Sequence, residues 1–264
     1  MITVNSAELQ IWVASFLWPL TRILGLISAA PLFGNVSVPA RVKIVLGVML
    51  ALIIAPTIPT VPAMDPMSLS GILILAQQFV IGAAMGFAIR VVLAAMEMAG
   101  EAIGMTMGLG FATFFDPQSR GRSSAISQFL ALLTLMVYLT TNLHLVLLST
   151  LADSFTTMPI TAAPIGGQMF LHLTGWGGRI FSAGVQLALP IIAALLITNI
   201  ALGILTRAAP QLNLFGIGFP ITISVGFIMI GLALPYMATP LERVFQEGFE
   251  VIRQITTTVP LPVP

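Results

Sequence analysis

Residues 104–123, GMTMGLGFATFFDPQSRGRS, form the one long glycine- and phenylalanine-bearing stretch between apolar runs of membrane-helix length. Four glycines keep its backbone permissive, and Asp116 followed by Pro117 marks a turn. The glycines are Gly104, Gly108, Gly110 and Gly121, and the large apolar side chains are Met105, Met107, Phe111, Phe114 and Phe115. Such a loop has to be buried, since non-helical backbone lies at membrane depth only inside protein or along a cavity. Two interpretations are open: a re-entrant turn packed in a helix bundle, or a plug that closes a passage.

The composition is that of a polytopic integral membrane protein. Of the 264 residues, 58% are hydrophobic and only 7% are charged, against roughly 25% charged in ordinary soluble domains. A net charge of +1 argues against nucleic acid as a partner, because binding to phosphates needs a basic stripe. The chain has no cysteine, which excludes disulfides and thiolate metal sites. The first apolar run is too long for a signal peptide and follows no basic region, so we expect a retained anchor.

Six apolar segments are each near the ~20 residues that a membrane-spanning helix requires. We therefore predict an all-α fold, a polytopic membrane protein of about six long helices. The segments are 9–33, 42–61, 72–103, 125–151, 180–206 and 214–237. Connections rich in proline and glycine separate them, and no soluble domain interrupts them, so residues 1–264 form a single helical membrane domain.

The last part of the chain has a different pattern. Apolar residues at helical spacing face away from charged ones after Pro240, which predicts an amphipathic helix over about 240–255. We expect this helix to lie at the membrane interface or to dock on a partner. Residues 256–264 are predicted to be a disordered tail.

Basic residues near the ends of the spans predict the orientation. With six spans, one side carries Arg41, Lys43, Arg120, Arg122 and Arg207, and the other carries Arg179, Arg243 and Arg253. Five basic residues against three place both termini outside the cytoplasm.

The third segment carries a stripe of charged and small residues. Arg90, Glu97 and Glu101 are spaced by seven and four residues, and Gly82 and Gly86 extend the same helical face. A charge at mid-membrane costs at least ~2.5–3.5 kcal/mol on insertion scales, so this face points at protein or water. Three roles are open: an ion pair between Arg90 and Glu97, a proton or ion relay, or a surface that faces another subunit or a lumen.

The same segment has two further features. Gly100, Gly104 and Gly108 repeat the spacing that lets helices approach closely. At ~1.5 Å per residue a continuous helix over 72–103 would reach about 48 Å, beyond a hydrocarbon core of about 30 Å. The helix is therefore tilted, broken, or extended out of the lipid. Arg22 in the first segment is another intramembrane charge and a candidate partner of the stripe.

Motifs for catalysis and cofactor binding are missing. His144 and His172 lack the HExxH spacing of a zinc site, and the sequence contains neither GxSxG nor GxxxxGK[ST]. The sequence therefore predicts that the protein is not an enzyme and holds no metal or cofactor.

Two further motifs join the opening segment in resembling a known family. Residues 30–43 are APLFGNVSVPARVK, and residues 207–220 are RAAPQLNLFGIGFP. The motif positions are Pro31, Phe33, Gly34, Pro39, Arg41, Lys43, Arg207, Pro210, Gln211, Gly218, Phe219 and Pro220. Together these segments resemble the FliR family of flagellar biosynthetic proteins, which includes counterparts in type III secretion injectisomes. The resemblance covers residues 6–255.

The resemblance implies a subunit of the core export gate of the flagellar type III secretion apparatus. It implies assembly with FliP-like and FliQ-like membrane subunits and contact with an FlhB-like protein. Helical hairpins of these subunits would form one channel, crossed by unfolded flagellar proteins, and the loop between the third and fourth helices would help to close it. The expected location is the bacterial inner membrane and the flagellar basal body, with part of the gate on the periplasmic side. Membrane lipid is the other expected partner.

A secondary transporter or ion channel is the competing class. It would use Arg22, Arg90, Glu97 and Glu101 as a site near the membrane midplane. Such transporters are built from repeats that contain paired broken helices. No internal repeat is evident in this sequence, so we prefer the export gate.

Overall fold

A computed structural model describes residues 6–58, 61–62, 64–111, 124–209 and 214–257, without the side chains of 6–11, 111, 214 and 215. In these residues the secondary structure is helical, which confirms the predicted all-α fold. The long helices are α1 Ser6–Ala29, α2 Ala40–Ile54, α3 Leu69–Thr106, α4 Ala125–Thr140, α5 Leu143–Thr157, α6 Gly167–Gly177, α7 Arg179–Ala208 and α8 Phe219–Thr257. Short 3-10 turns at Ala55–Thr57 and Leu109–Phe111 and a π turn at Leu214–Gly218 complete the described elements.

The membrane-spanning character of these helices agrees with the composition. Five helical stretches in the described residues are long and apolar enough to cross a membrane, and α4 with α5 would make a sixth span. The chain is therefore an all-α polytopic membrane protein.

The predicted fourth span, 125–151, is wrong as a single helix. The chain there forms α4 and α5, bent by 66° at the short break between them. Asn142 stands at this break with φ 57°, the left-handed conformation that asparagine tolerates better than most residues. The segment is apolar on both sides of the break, and its turn signal is the polar run of Thr140, Thr141 and Asn142 at the break itself.

The connection before the predicted fifth span contains a helix of its own. Residues 167–177 form α6, and α7 begins directly after it at Arg179. The glycines of this segment indicated a loop, whereas the apolar residues between them complete three helical turns.

The third segment is one continuous helix. α3 has 38 residues, which corresponds to about 57 Å, so the broken form is excluded and tilt or extension beyond the hydrocarbon core remains. α8 is as long, with 39 residues, and it runs through Pro235 and Pro240. The predicted amphipathic helix at 240–255 is therefore the end of α8 and not a separate element. Thr256 and Thr257 are also helical, which corrects the predicted start of the disordered tail, while 258–264 lie outside the described residues.

The chain packs into two compact units, each discontinuous in sequence. Unit 1 comprises Met1–Val91, Asn142–Gly177 and Gln246–Pro264, and unit 2 comprises Val92–Thr141 and Gly178–Phe245. Fully buried side chains in unit 1 include Trp18, Arg22, Leu26, Ile74 and Met85. The core of unit 2 includes Ile103, Met107, Leu130, Ile191 and Leu195.

Candidate functional site

The predicted closing segment lies partly within the described residues. Met105 is 65% exposed, whereas Met107 is fully buried in the core of unit 2. Gly110 lies in the 3-10 turn that ends at Phe111, whose side chain is not described. Four predicted members, Phe114, Phe115, Asp116 and Pro117, lie outside the described residues.

The start of the closing segment is fixed by α8. Oγ1 of Thr222 donates a hydrogen bond of 3.1 Å to the carbonyl oxygen of Met107. A Cβ atom added at Gly226 would lie 2.6 Å from the Met107 side chain, so a larger residue at 226 would displace it. Gly108 has φ +88°, the left-handed conformation in which glycine commonly ends a helix, and it packs against the ring of Phe219. The family-motif residue Phe219 and the loop glycine Gly108 are thus brought together.

Glu97 and Glu101 of the polar stripe lie where α3 meets the start of α4. Oε1 of Glu101 accepts a hydrogen bond of 2.7 Å from the backbone N–H of Ser124. One turn earlier, the carbonyl oxygen of Glu97 accepts a bond of 2.9 Å from Oγ of Ser127. Both glutamates are half-buried. The structure therefore gives this part of the stripe a protein-facing position.

The glycines of the stripe pack against α1 in unit 1. A Cβ atom at Gly82 would collide with the carbonyl oxygen of Arg22, and one at Gly86 would lie 2.7 Å from the carbonyl oxygen of Leu26. These glycines let the backbones of α1 and α3 approach closely, as their spacing predicts. Arg90 is exposed and belongs to unit 1, whereas Glu97 belongs to unit 2. An ion pair between Arg90 and Glu97 therefore stays a prediction.

Arg22 forms a network that sequence reasoning did not find. The guanidinium is completely buried. Its Nε donates to Oε1 of Gln78 at 2.8 Å, and its Nη1 donates to the carbonyl oxygen and Oγ of Ser154 at 2.8 and 3.1 Å. Its Nη2 donates to the carbonyl oxygen of Met158 at 2.9 Å. The guanidinium carbon lies over the ring of Phe155, 4.3 Å from the ring centroid. One cation thus connects α1, α3 and the C-terminal end of α5.

A signal for this network was present in the sequence. Gln78 and Ser154 are polar residues within apolar segments, and such residues need partners inside the membrane. Gln78 also lines a cavity of about 150 Å³ with Gln77, Met158 and Pro159. Which polar residues meet could not be predicted, because Arg22 and Ser154 are more than a hundred positions apart.

The first family motif forms the turn between α1 and α2. The N–H of Gly34 donates to the carbonyl oxygen of Ala30 at 2.6 Å, and Nζ of Lys43 donates to the carbonyl oxygen of Gly34 at 3.1 Å. Pro39 is the N-cap of α2, and Arg41 in the first turn is exposed. Pro31 and Phe33 lie in the same turn. Lys43 therefore stabilises this turn from within the following helix.

The second family motif joins α7 to α8. Arg207 stands exposed in the last turn of α7, where a cation interacts favourably with the helix dipole. Gly218 ends the π turn, and Phe219 and Pro220 begin α8, a position at which proline's missing N–H is tolerated. Pro210 and Gln211 lie outside the described residues. In the described part of the chain, no group of three or more acidic or histidine residues is arranged to hold a metal ion.

Comparison with known proteins identifies the family. Residues 13–248 match the family model described as bacterial export proteins, family 1. The chain belongs to this family. It is 46% identical over 259 residues to the flagellar biosynthetic protein FliR of Pectobacterium carotovorum subsp. carotovorum, a match that covers 97% of this chain and 98% of the relative.

Other relatives of this export family carry the same description. The protein from Escherichia coli (strain K12) is 42% identical, and the match covers 99% of this chain and all of the relative. The protein from Bacillus subtilis (strain 168) is 30% identical, over 93% of this chain and 95% of the relative. These matches confirm the resemblance that the motifs indicated, and the family's names denote a non-enzymatic role. The chain is a flagellar export protein with apolar helices suited to the inner membrane.

Proposed function

We propose that this protein is a subunit of the core export gate of the flagellar type III secretion apparatus. With FliP-like and FliQ-like subunits it would form the channel through which unfolded flagellar proteins cross, and an FlhB-like protein would contact it. The gate would belong to the flagellar basal body, partly on the periplasmic side. The single observation that carries this proposal is the similarity, over nearly the whole chain, to proteins named flagellar biosynthetic protein FliR.

The distribution of buried surface supports an assembly with other membrane subunits. In the 18-residue apolar window of α3, 67% of the residues are buried, against 28% in the window of the α6–α7 stretch and 22% in that of the α8 stretch. Their exposed apolar side chains include Leu189, Ile197, Ile200, Phe227 and Leu232. Such faces require lipid or partner helices, and a gate subunit would cover part of them with its neighbours.

The closing role is proposed for the segment that starts at Met105. Met107 is anchored in the core of unit 2, and the backbone turns at Gly108. The part of the segment that follows Gly108 therefore starts from a fixed position. Burying one methionine or phenylalanine contributes about 1.5–3 kcal/mol. A few such contacts would hold a channel closed and would still yield to a polypeptide that is driven through it.

Co-expression tests the assembly. We expect this protein, made alone, to be poorly stable in detergent, and its FliP-like and FliQ-like partners to raise the monodisperse yield several-fold. A tagged copy should retain both partners through size-exclusion chromatography, while an unrelated polytopic protein with the same tag should retain neither. A well-folded, monodisperse monomer that binds neither partner would contradict the gate.

Variants of the segment test the closing role. Changing Phe111, Phe114 and Phe115 to alanine, or shortening the chain between Leu109 and Arg120, should leave the complex assembled but leaky to ions and small dyes. The matched control changes three exposed phenylalanines elsewhere to alanine, namely Phe79, Phe87 and Phe129. If the segment variants assemble, export and stay ion-tight, the segment is only a packed turn.

The alternative of a secondary transporter or ion channel stays a hypothesis with less support. Arg22 bonds to uncharged acceptors, and the carboxylate of Glu101 bonds to a backbone N–H. Each group therefore has a local structural role. Transport sites instead need groups whose partners exchange with the substrate or ion.

A further inference from the structure

Two hydrogen bonds hold the chain before and after residues 112–123. On the C-terminal side, the backbone N–H of Ser124 donates to Oε1 of Glu101 at 2.7 Å. On the N-terminal side, Oγ1 of Thr222 donates to the carbonyl oxygen of Met107 at 3.1 Å. We infer that Glu101 is a positioning residue whose carboxylate fixes where α4 begins. Its consequence for channel closing rests on the proposed function.

Close packing of two helices brings Glu101 to this place. A Cβ atom at Gly100 would collide with the backbone of Ser127, and one at Gly104 would lie 3.2 Å from Oγ of Ser124. The absence of side chains at both glycines therefore lets the first turn of α4 lie directly on α3. Glu101, adjacent to Gly100 in the sequence, is thereby within hydrogen-bond distance of the start of α4.

The chemistry at the start of α4 favours a carboxylate. Ser124 is the N-cap, and its Oγ accepts a hydrogen bond of 3.1 Å from the N–H of Ser127. The N–H groups at a helix start lack intrahelical partners, and the positive end of the helix dipole lies there. Oε1 of Glu101 accepts the N–H of Ser124, which the serine's own side chain does not satisfy.

Two substitutions distinguish positioning from ion relay. Glu101→Gln keeps an oxygen at the position of Oε1 that accepts from Ser124, and it cannot take up and release a proton as a carboxyl group can. Glu101→Ala loses the acceptor as well. A positioning residue predicts that the glutamine variant retains most of the function and that the alanine variant does not. A relay predicts that both variants fail alike.

A double-mutant cycle tests the contact directly in the purified, partner-bound complex. Ser124→Ala keeps the backbone N–H, whereas Ser124→Pro removes it at a φ of −58°, within the range that proline adopts. We expect Glu101→Ala to lower the thermal midpoint by about 2–4 °C in the Ser124→Ala background. It should change the midpoint little in the Ser124→Pro background. Equal shifts in both backgrounds would overturn the inference.

A leak assay in cells that make the full complex tests the consequence for closing. Glu101→Ala should raise dye and ion leak roughly tenfold, since losing the acceptor of a hydrogen bond changes a two-state population by up to about that factor. Glu101→Gln and the exposed carboxylate control Glu250→Ala should stay near the parent level. Leak from the glutamine variant equal to that from the alanine variant would also overturn the positioning role. Coupling between Glu101 and Ser124 in the double-mutant cycle, without a raised leak from Glu101→Ala, would leave the positioning role intact. That result would contradict the proposed closing role of the segment.

Discussion

Nη1 of Arg22 donates a hydrogen bond of 2.8 Å to the backbone carbonyl oxygen of Ser154, in the last turn of α5. Nη2 reaches the carbonyl oxygen of Met158, just beyond that turn, at 2.9 Å. The carbonyl oxygen of Ser154 also accepts the N–H of Met158 at 3.0 Å. The carbonyls at the end of a helix carry the negative end of its dipole, and those beyond the last intrahelical bond need other donors. A completely buried cation from α1 therefore serves as the C-terminal cap of α5.

Replacing this cation should destabilise unit 1. Arg22→Met fills a similar volume but removes the donor to Oε1 of Gln78 and to the carbonyl oxygen of Met158, at about 1–3 kcal/mol for each buried group. The carbonyl of Ser154 keeps its bond from the N–H of Met158. We expect a lower thermal midpoint for the purified complex, measured by heating followed by size-exclusion chromatography. Arg90→Met, which removes an exposed arginine from α3, is the control. Equal midpoints for the two variants would show that the network contributes nothing.

Adding one methyl group between α1 and α3 should have a similar effect. Gly82→Ala places a Cβ atom against the carbonyl oxygen of Arg22, so the two backbones have to separate. The expected result is a reduced yield of folded complex. Gly203→Ala is the control, because a Cβ atom there meets open space and alanine favours a helix over glycine by about 0.5–1 kcal/mol. A Gly82→Ala complex as abundant and as heat-resistant as the Gly203→Ala complex would contradict the close packing.

The turn at the end of α3 should require glycine. Gly108 has φ +88° and lies against Phe219, so Gly108→Ala adds both backbone strain and a collision. The left-handed conformation costs other residues roughly 1–2 kcal/mol. We expect increased ion leak with partners still bound, measured as dye uptake in cells. Gly231→Ala, in α8 of the same unit, meets no atom within 4 Å and should behave as the parent. A tight Gly108→Ala complex would show that the turn does not control the segment.

Orientation in the membrane is testable without background, since the chain has no cysteine. The distribution of basic residues predicts that Thr3 and Thr257 both lie outside the cytoplasm. Single cysteines at either position should react with an impermeant maleimide once the outer membrane is opened and the inner membrane is intact. A cysteine placed at Arg207 should stay unlabelled under the same conditions. Labelling at only one terminus would mean that the number of spans is odd.

The helical class, the family and the close-packing glycines were predictable because each depends on composition or short spacing. Gly82 and Gly86 recur at a period that the helix places on one face, and the structure puts both against α1. The partners of Arg22 were not predictable, since nothing local relates residue 22 to residue 154. The role of Glu101 was also missed, because it depends on the start of a different helix.

The errors in helix boundaries have a common physical cause. Proline and glycine normally indicate ends of helices, yet α8 continues through Pro235 and Pro240. Membrane helices tolerate proline when neighbouring groups satisfy the freed carbonyls. Conversely, the bend at Asn142 occurs within an apolar run that contains neither residue. The prolines therefore predicted a helix end that is absent, and no proline or glycine marks the bend at Asn142.

All three tryptophans of the chain, Trp12, Trp18 and Trp176, belong to unit 1. Trp18 and Trp176 are buried, and the indole N–H of Trp176 donates to the carbonyl oxygen of Ala88 at 2.8 Å. Indole emission shifts to longer wavelength when the ring enters water, so the tryptophan fluorescence of this chain reports on unit 1 alone. In unit 2, Tyr138 is buried and stacks 5.4 Å from Phe245. Selective excitation of tryptophan would therefore follow the unfolding of unit 1 without any label, while unit 2 contributes no tryptophan signal.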